Sequence, residues 1–198
     1  MKVKHQPRQA RLKQRLWTRE EYYRLLDLGF FDDQRVELIE GVVVQMPAQK
    51  NYHAMSISLA HDALRAAFGP GYWVRVQASL DLSPYSVPDP DLAVVKGDPR
   101  THKTPDNPTT ALLLVEVSET TLRHDRRVKG SLYARAGIAD YWIINLVDWE
   151  LEVYRNPVPD SRQHFDFGYA DVIALPATDH VAPLAAPQSR IAVADLLP

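Results

Sequence analysis

"ALLLVEVSETTLRHDRRVKGSLYARAGIADYWIINL", residues 111–146, holds the three pieces that decide the fold. "ALLLVEV" is apolar on both faces until Glu116, as the central strand of a sheet would be. The segment from Asp125 to Gly137 reads as a helix with Gly137 as its left-handed stop, and "YWIINL" reads as a second strand. Glu116 is the anomaly. A side chain that is almost never fully buried unless paired stands in a run of Leu and Val, so it requires a cation, a proton or an exposed strand end.

Outward from this stretch, the chain alternates helices with β-rich runs. Thr18 and Glu21 form a capping-box signal, and "REEYYRLLDLG" behind it carries Tyr22, Leu25 and Leu26 on one face before Gly29. "VELIEGVVVQM" is two short β-rich runs hinged at Glu40 and Gly41, the pattern of a hairpin. "NYHAMSISLAHDALRAAFGPG" predicts a helix that stops at Gly69, Pro70 and Gly71. "WVRVQASLDL", Trp73 to Leu82, alternates along its length. It predicts one strand with Val74, Val76, Ala78, Leu80 and Leu82 on a buried face. "SPYSVPDP" is a turn that feeds the short strand "DLAVV", and residues 96–110 form a polar loop. After "YWIINL" come the strand "WELEVY", a further strand at Asp171 to Leu175, and a closing element near Val193 to Leu197. The pattern predicts a mixed α/β sheet packed by helices.

With 198 residues, 45% of them apolar, the chain can build one sizeable core, and residues 17–198 are expected to form a single domain. The absence of cysteine excludes disulfides, thiolate zinc sites and thiol nucleophiles, and fits a reducing compartment. No apolar run approaches the roughly 20 residues of a membrane helix, and the opening residues lack the apolar segment of a signal peptide; the expectation is a soluble cytoplasmic protein. The formal net charge of −2 hides an asymmetry, because Lys2, Lys4, Arg8, Arg11, Lys13 and Arg15 stand in residues 1–16 without an acid. That stretch reads as a basic, flexible arm on an acidic body, either a solvated tail or a contact for phosphates or an acidic partner.

Asp91 follows Pro90 at the entrance of one strand, and Glu116 lies near the end of the next. If these strands are neighbours, both carboxylates converge at one edge of the sheet and repel unless something positive lies between them. Without thiols, a hard divalent ion such as magnesium is the natural guest. The same residues also admit a purely structural reading, in which Asp91 caps a turn in "PDPD" and Glu116 pairs with an arginine.

"PDLAVV", "LLLVEVSETT" and "DRRVKGSLYARAGIADYWIINL", in this order, resemble the signature of the Uma-two family of restriction-endonuclease-like proteins, a branch of the PD-(D/E)XK nuclease superfamily. The resemblance runs from about Trp17 to Leu197, with "RVELIEGVVVQM" fitting the family's early hairpin. It implies a restriction-endonuclease-like mixed central β-sheet flanked by helices, with additional hairpins. It also implies an endonuclease hydrolysing DNA phosphodiester bonds, in which Asp91, Glu116 and the main-chain carbonyl of Val117 bind Mg2+ (or Mn2+) beside the scissile phosphate. In the superfamily's commonest arrangement a lysine stands two residues after the glutamate; here that place is Ser118. The resemblance offers Lys129 in its stead, to position water or phosphate, and Glu37 as an additional site carboxylate. The alternative is a catalytically inactive module of the same fold that binds nucleic acid or a protein partner, and Ser118 motivates it.

Asp125, Lys129 and Tyr133 are spaced by four and share a helical face, so an ordinary surface ion pair between Asp125 and Lys129 stands beside the functional reading. Gln77 projects from the polar side of its strand toward water or substrate. Asp89 is the rival of Asp91. His53 and His61, eight apart on the long helix, are assigned to no metal. Arg123, Arg126, Arg127, Lys129 and Arg135 outnumber the lone Asp125, which marks Arg126 and Arg127 as candidate DNA contacts. The tryptophans read as core or edge packing, and a homodimer would suit a cut through both strands.

Overall fold

The computed structural model describes residues 13–102 and 104–198. Most of the basic arm lies outside the described residues; of its cations Lys13 and Arg15 lie within, both exposed, and Arg15 pairs with Glu21. The elements, in chain order, are α1 (Arg19–Asp27), β1 (Val36–Ile39), β2 (Val42–Gln45), α2 (Asn51–Phe68), β3 (Tyr72–Val76), β4 (Leu92–Lys96) and β5 (Leu113–Ser118). A crossover helix follows, made of α3 (Leu122–His124), a π-helical segment (Asp125–Lys129) and α4 (Gly130–Arg135). The chain closes with β6 (Asp140–Asn145), β7 (Glu150–Pro159), β8 (Phe167–Pro176), β9 (His180–Val181), β10 (Ile191–Ala192) and a 3-10 turn at Val193–Leu196.

Six strands form a mixed sheet in the order β3-β4-β5-β6-β7-β8. All neighbours run antiparallel except β5 and β6, which are parallel and therefore need the crossover helix between them. Every residue of β5 is buried, because both sheet faces are covered. Val115 and Val117 join Val94, Trp142 and Ile144 on the face covered by α2 through Ile57, Ala60, Leu64 and Phe68. Leu114 joins Ala93, Tyr141 and Ile143 on the opposite face, against Leu132 and Tyr133 of the crossover helix.

Outside the sheet, β1 and β2 form the expected hairpin, with Glu40 and Gly41 both at positive φ (47° and 78°) as a tight hairpin turn demands. Leu38 exchanges backbone hydrogen bonds with Val87, which docks the hairpin on the loop leading into β4. The capping box at Thr18 and Glu21 is present, and Tyr22 donates its hydroxyl proton to the carbonyl of Val36 at 2.8 Å, fastening α1 to the hairpin.

The predicted strand over Trp73–Leu82 ends early. β3 stops at Val76, which pairs with Leu92, the first residue of β4. Gln77 turns into positive φ (46°) and the chain leaves the sheet. Consequently Val74 packs in the α2-side core while Leu80 packs in the opposite one, Arg75 is buried and Val76 is exposed. The helix expected from Asp125 begins three residues earlier at Leu122, and widens to a π-helical turn that periodicity does not reveal. Trp149 departs from the core or edge reading of the tryptophans: it is 44% exposed on the β6–β7 turn and packs edge-on against Tyr52.

Candidate active site

Antiparallel pairing sets Leu92 opposite Val115, so Asp91, one residue before β4, faces the end of β5 where Glu116 lies. Asp91 Oδ2 accepts the N–H of Val117 at 2.8 Å, which fixes the carboxylate against the neighbouring strand. Its other oxygen, Oδ1, is approached by Gln77 Nε2 at 3.1 Å, His53 Nε2 at 3.1 Å and Gln49 Nε2 at 3.4 Å. The left-handed kink is what delivers Gln77 to this position. Burial alone would raise the pKa of Asp91, but His53, the Val117 N–H and Lys129 together hold it below the usual carboxylate value.

Glu116 points to the crossover-helix side of the sheet. Its Oε1 accepts from Lys129 Nζ at 2.9 Å and from the Tyr133 hydroxyl at 2.7 Å. Lys129 also donates to Glu37 Oε1 on β1 at 3.0 Å. The ammonium is 1% exposed, so the surface ion pair with Asp125 does not form. Asp125 instead accepts the hydroxyls of Ser118 and Thr121, each at 2.6 Å. Ser118 thus anchors the first turn of the very helix that carries Lys129. Burial draws Lys129 toward its neutral form, yet the charges of Glu116 and Glu37 outweigh it and hold the ammonium well above the ordinary lysine pKa. Burial raises the pKa of Glu116 well above normal despite Lys129, and the neighbouring carboxylates Asp91, Asp125 and Glu37 push the same way.

Glu37, His53, Asp91, Glu116, Asp125 and Lys129 line a cleft of about 260 Å3 that also meets Asp89, Val117 and Thr121. Its balance is acidic, with Glu37, Asp89, Asp91, Glu116, Glu119 and Asp125 against Arg35, Lys50 and Lys129. Glu37 Oε2 and Asp89 Oδ1 are buried without a hydrogen-bond partner. An all-oxygen donor set with surplus negative charge and orphaned carboxylate oxygens fits a hard divalent cation. Among the described residues no ready-made group of three or more histidine or acidic ligands stands together, so such an ion would keep water ligands, as magnesium does.

The structure therefore brings Asp91, Glu116, Lys129, Glu37 and Val117 to one cleft, and Gln77 reaches it only through its hydrogen bond to Asp91. Arg126 lies elsewhere: its guanidinium grips Glu152 through bonds of 2.6, 3.0 and 3.1 Å. Arg127 is exposed. His53, assigned to no metal as a helix-surface histidine, heads the stripe continued by Ile57, Ala60, Leu64 and Phe68, and that stripe is the signal that aims it at the sheet, where it meets Asp91. His61 sits on a different surface beside Asp62.

Strand order, the crossover helix and the carboxylate–lysine cleft together describe a restriction-endonuclease-like fold. Residues 19–193 match the Uma2 family, described as "Putative restriction endonuclease", and the chain belongs to that family. It is also similar in structure to a protein from Anabaena variabilis titled a "putative nuclease belonging to DUF820". That match has a TM-score of 0.64 at 17% identity and covers 90% of this chain and 96% of the other. At that identity the likeness concerns the fold. No curated protein matches the chain. Among the described residues no helix is long and apolar enough to cross a membrane.

Proposed function

We propose that this chain is a magnesium- or manganese-dependent endonuclease that hydrolyses DNA phosphodiester bonds. The observation that carries the reading is Lys129, a fully buried ammonium held between Glu37 and Glu116 at the edge of a cleft that also contains Asp91. Asp91, Glu116 and the Val117 carbonyl would hold the metal. When bound, the ion would lower the pKa of a bound water and stabilise charge developing on the phosphoryl oxygens.

The protein's own groups divide the remaining work. The Val117 N–H orients Asp91, and the Tyr133 hydroxyl together with Lys129 orients Glu116, so neither carboxylate has to reorganise when substrate arrives. An ammonium has three N–H donors, and the one of Lys129 not spent on Glu37 and Glu116 is free for the attacking water or a phosphate oxygen. Glu37, with Oε2 unpartnered, is an auxiliary carboxylate for that water. Gln77 and His53 hold Asp91 Oδ1 in place.

Cleavage of plasmid and linear DNA, measured across a magnesium or manganese titration, tests the reading. Wild-type protein should cut, and Asp91→Ala and Glu116→Ala should not; equal background cleavage by all three would overturn it. The absence of a lysine at Ser118 favours one other reading, a non-cleaving binding module, which predicts DNA retention with no cleavage at any metal concentration.

A further inference from the structure

Consecutive residues of the crossover helix meet different fates. Arg126 is neutralised by Glu152, whereas Arg127, beside it, has no carboxylate within salt-bridge distance among the described residues, and neither has Arg123. Most other cations around the candidate active site are paired, Lys50 with Glu119, Arg135 with Glu40, and Lys129 with Glu37 and Glu116; Arg35, exposed at the rim of that cleft, is the exception among the described residues. Arg123 and Arg127 stand four residues apart on the helix and line one cleft of about 680 Å3, within the range of about 300–1,000 Å3 typical of ligand sites. That cleft shares Pro47, Thr120 and Thr121 with the candidate active-site cleft, so the two are adjoining compartments separated by the loop after β5.

The remaining wall is suited to a nucleotide. His124 contributes a ring whose Nε2 is buried without a hydrogen-bond partner, and Val128 supplies apolar surface for a sugar or base. Burial lowers the pKa of His124, so the ring is neutral and has one nitrogen to donate and one to accept.

We propose that this cleft is the subsite for the nucleotide adjoining the scissile phosphate of a nucleic-acid strand, with Arg123 and Arg127 as its phosphate contacts. The proposal rests on the nuclease reading above and adds the direction in which the strand leaves the metal-binding cleft, along the α3 side and past Thr120 and Thr121. A strand, rather than a free anion, is the ligand that occupies two adjoining compartments at once. Unpaired guanidiniums against a mostly neutralised surround give the phosphate its local attraction, and they take no part in holding the core.

The experiment measures fluorescence anisotropy of a labelled single-stranded oligonucleotide and of the matching duplex with the full chain, metal omitted, over a series of salt concentrations. The Arg123→Ala/Arg127→Ala double variant should bind at least about tenfold more weakly. Its plot of log affinity against log salt should be shallower by about 0.7–0.9 for each arginine lost. Arg126→Ala, whose side chain is engaged by Glu152, should stay near wild type. Wild-type affinity and slope in the double variant would overturn the subsite, as would an equal loss in Arg126→Ala. A cleavage assay separates the two claims. Oligonucleotide binding that depends on these arginines without any cutting would sink the nuclease reading alone, and metal-dependent cutting with an unchanged KM in the double variant would sink the subsite alone. A wild-type chain that retains no nucleic acid at any salt would sink both.

Discussion

The two faces of β5 come from alternate residues of one strand and do opposite things. On the α2 side, Val115 and Val117 meet Ile57, Leu64 and Trp142 in a core cluster of buried apolar side chains. On the other side Glu116 accepts from Lys129 and Tyr133, and Ser118 donates to Asp125, through hydrogen bonds of 2.6 to 2.9 Å. The first face is non-directional and contributes stability by the area it removes from water. The second gains little net stability, because burying these charges costs about as much as their attraction returns, but it fixes where each group points. A strand buried on both sides can therefore keep chemistry on one face while the other keeps it in place.

The most damaging way to probe this comparison is Lys129→Met. Removing the cation leaves Glu37 and Glu116 buried without their partner, and breaking such a pair costs about 3–5 kcal/mol. Urea denaturation should show that loss alongside cleavage that falls to background; a stable, active variant would dissolve the distinction between the faces. Leu64→Ala attacks the other face. It should cost about 2–5 kcal/mol by the same measurement, yet leave the cleavage rate per folded molecule unchanged. A collapse of rate in the folded fraction would mean the faces are not separable. Ser118→Ala takes one of two hydroxyl donors from buried Asp125 and should cost about 1.5–3 kcal/mol, with a partial loss of rate because the helix bearing Lys129 loosens. Smallest is Thr18→Ala, which removes the α1 cap at a cost of about 1 kcal/mol; a change in rate there would show that the site feels the far end of the hairpin support.

Much of this arrangement was legible in the residues. Apolar runs marked β4, β5 and β6, and the charges at the ends of β4 and β5 could be paired because adjacent strands commonly neighbour each other. Lys129 was not legible from spacing, which equally suited a surface pair with Asp125, and only the family resemblance singled it out. The kink at Gln77 escaped because alternation continues through Leu82 while the backbone turns to the opposite face. The π-helical turn escaped because a shift in backbone pairing leaves no periodic trace over so few residues. His53 escaped because its partner is distant in sequence: Asp91 lies 38 residues away.

The bond between Ser118 and Asp125 sets what residue 118 can hold. With Asp125 in place 2.6 Å from the Ser118 hydroxyl, an ammonium introduced at 118 would find that carboxylate before it reached Glu116. It would also compete with a Lys129 already in post. A lysine at 118 would therefore need Asp125 and Lys129 to change with it, so residues 118, 125 and 129 behave as one locked unit and the small hydroxyl of Ser118 is its latch.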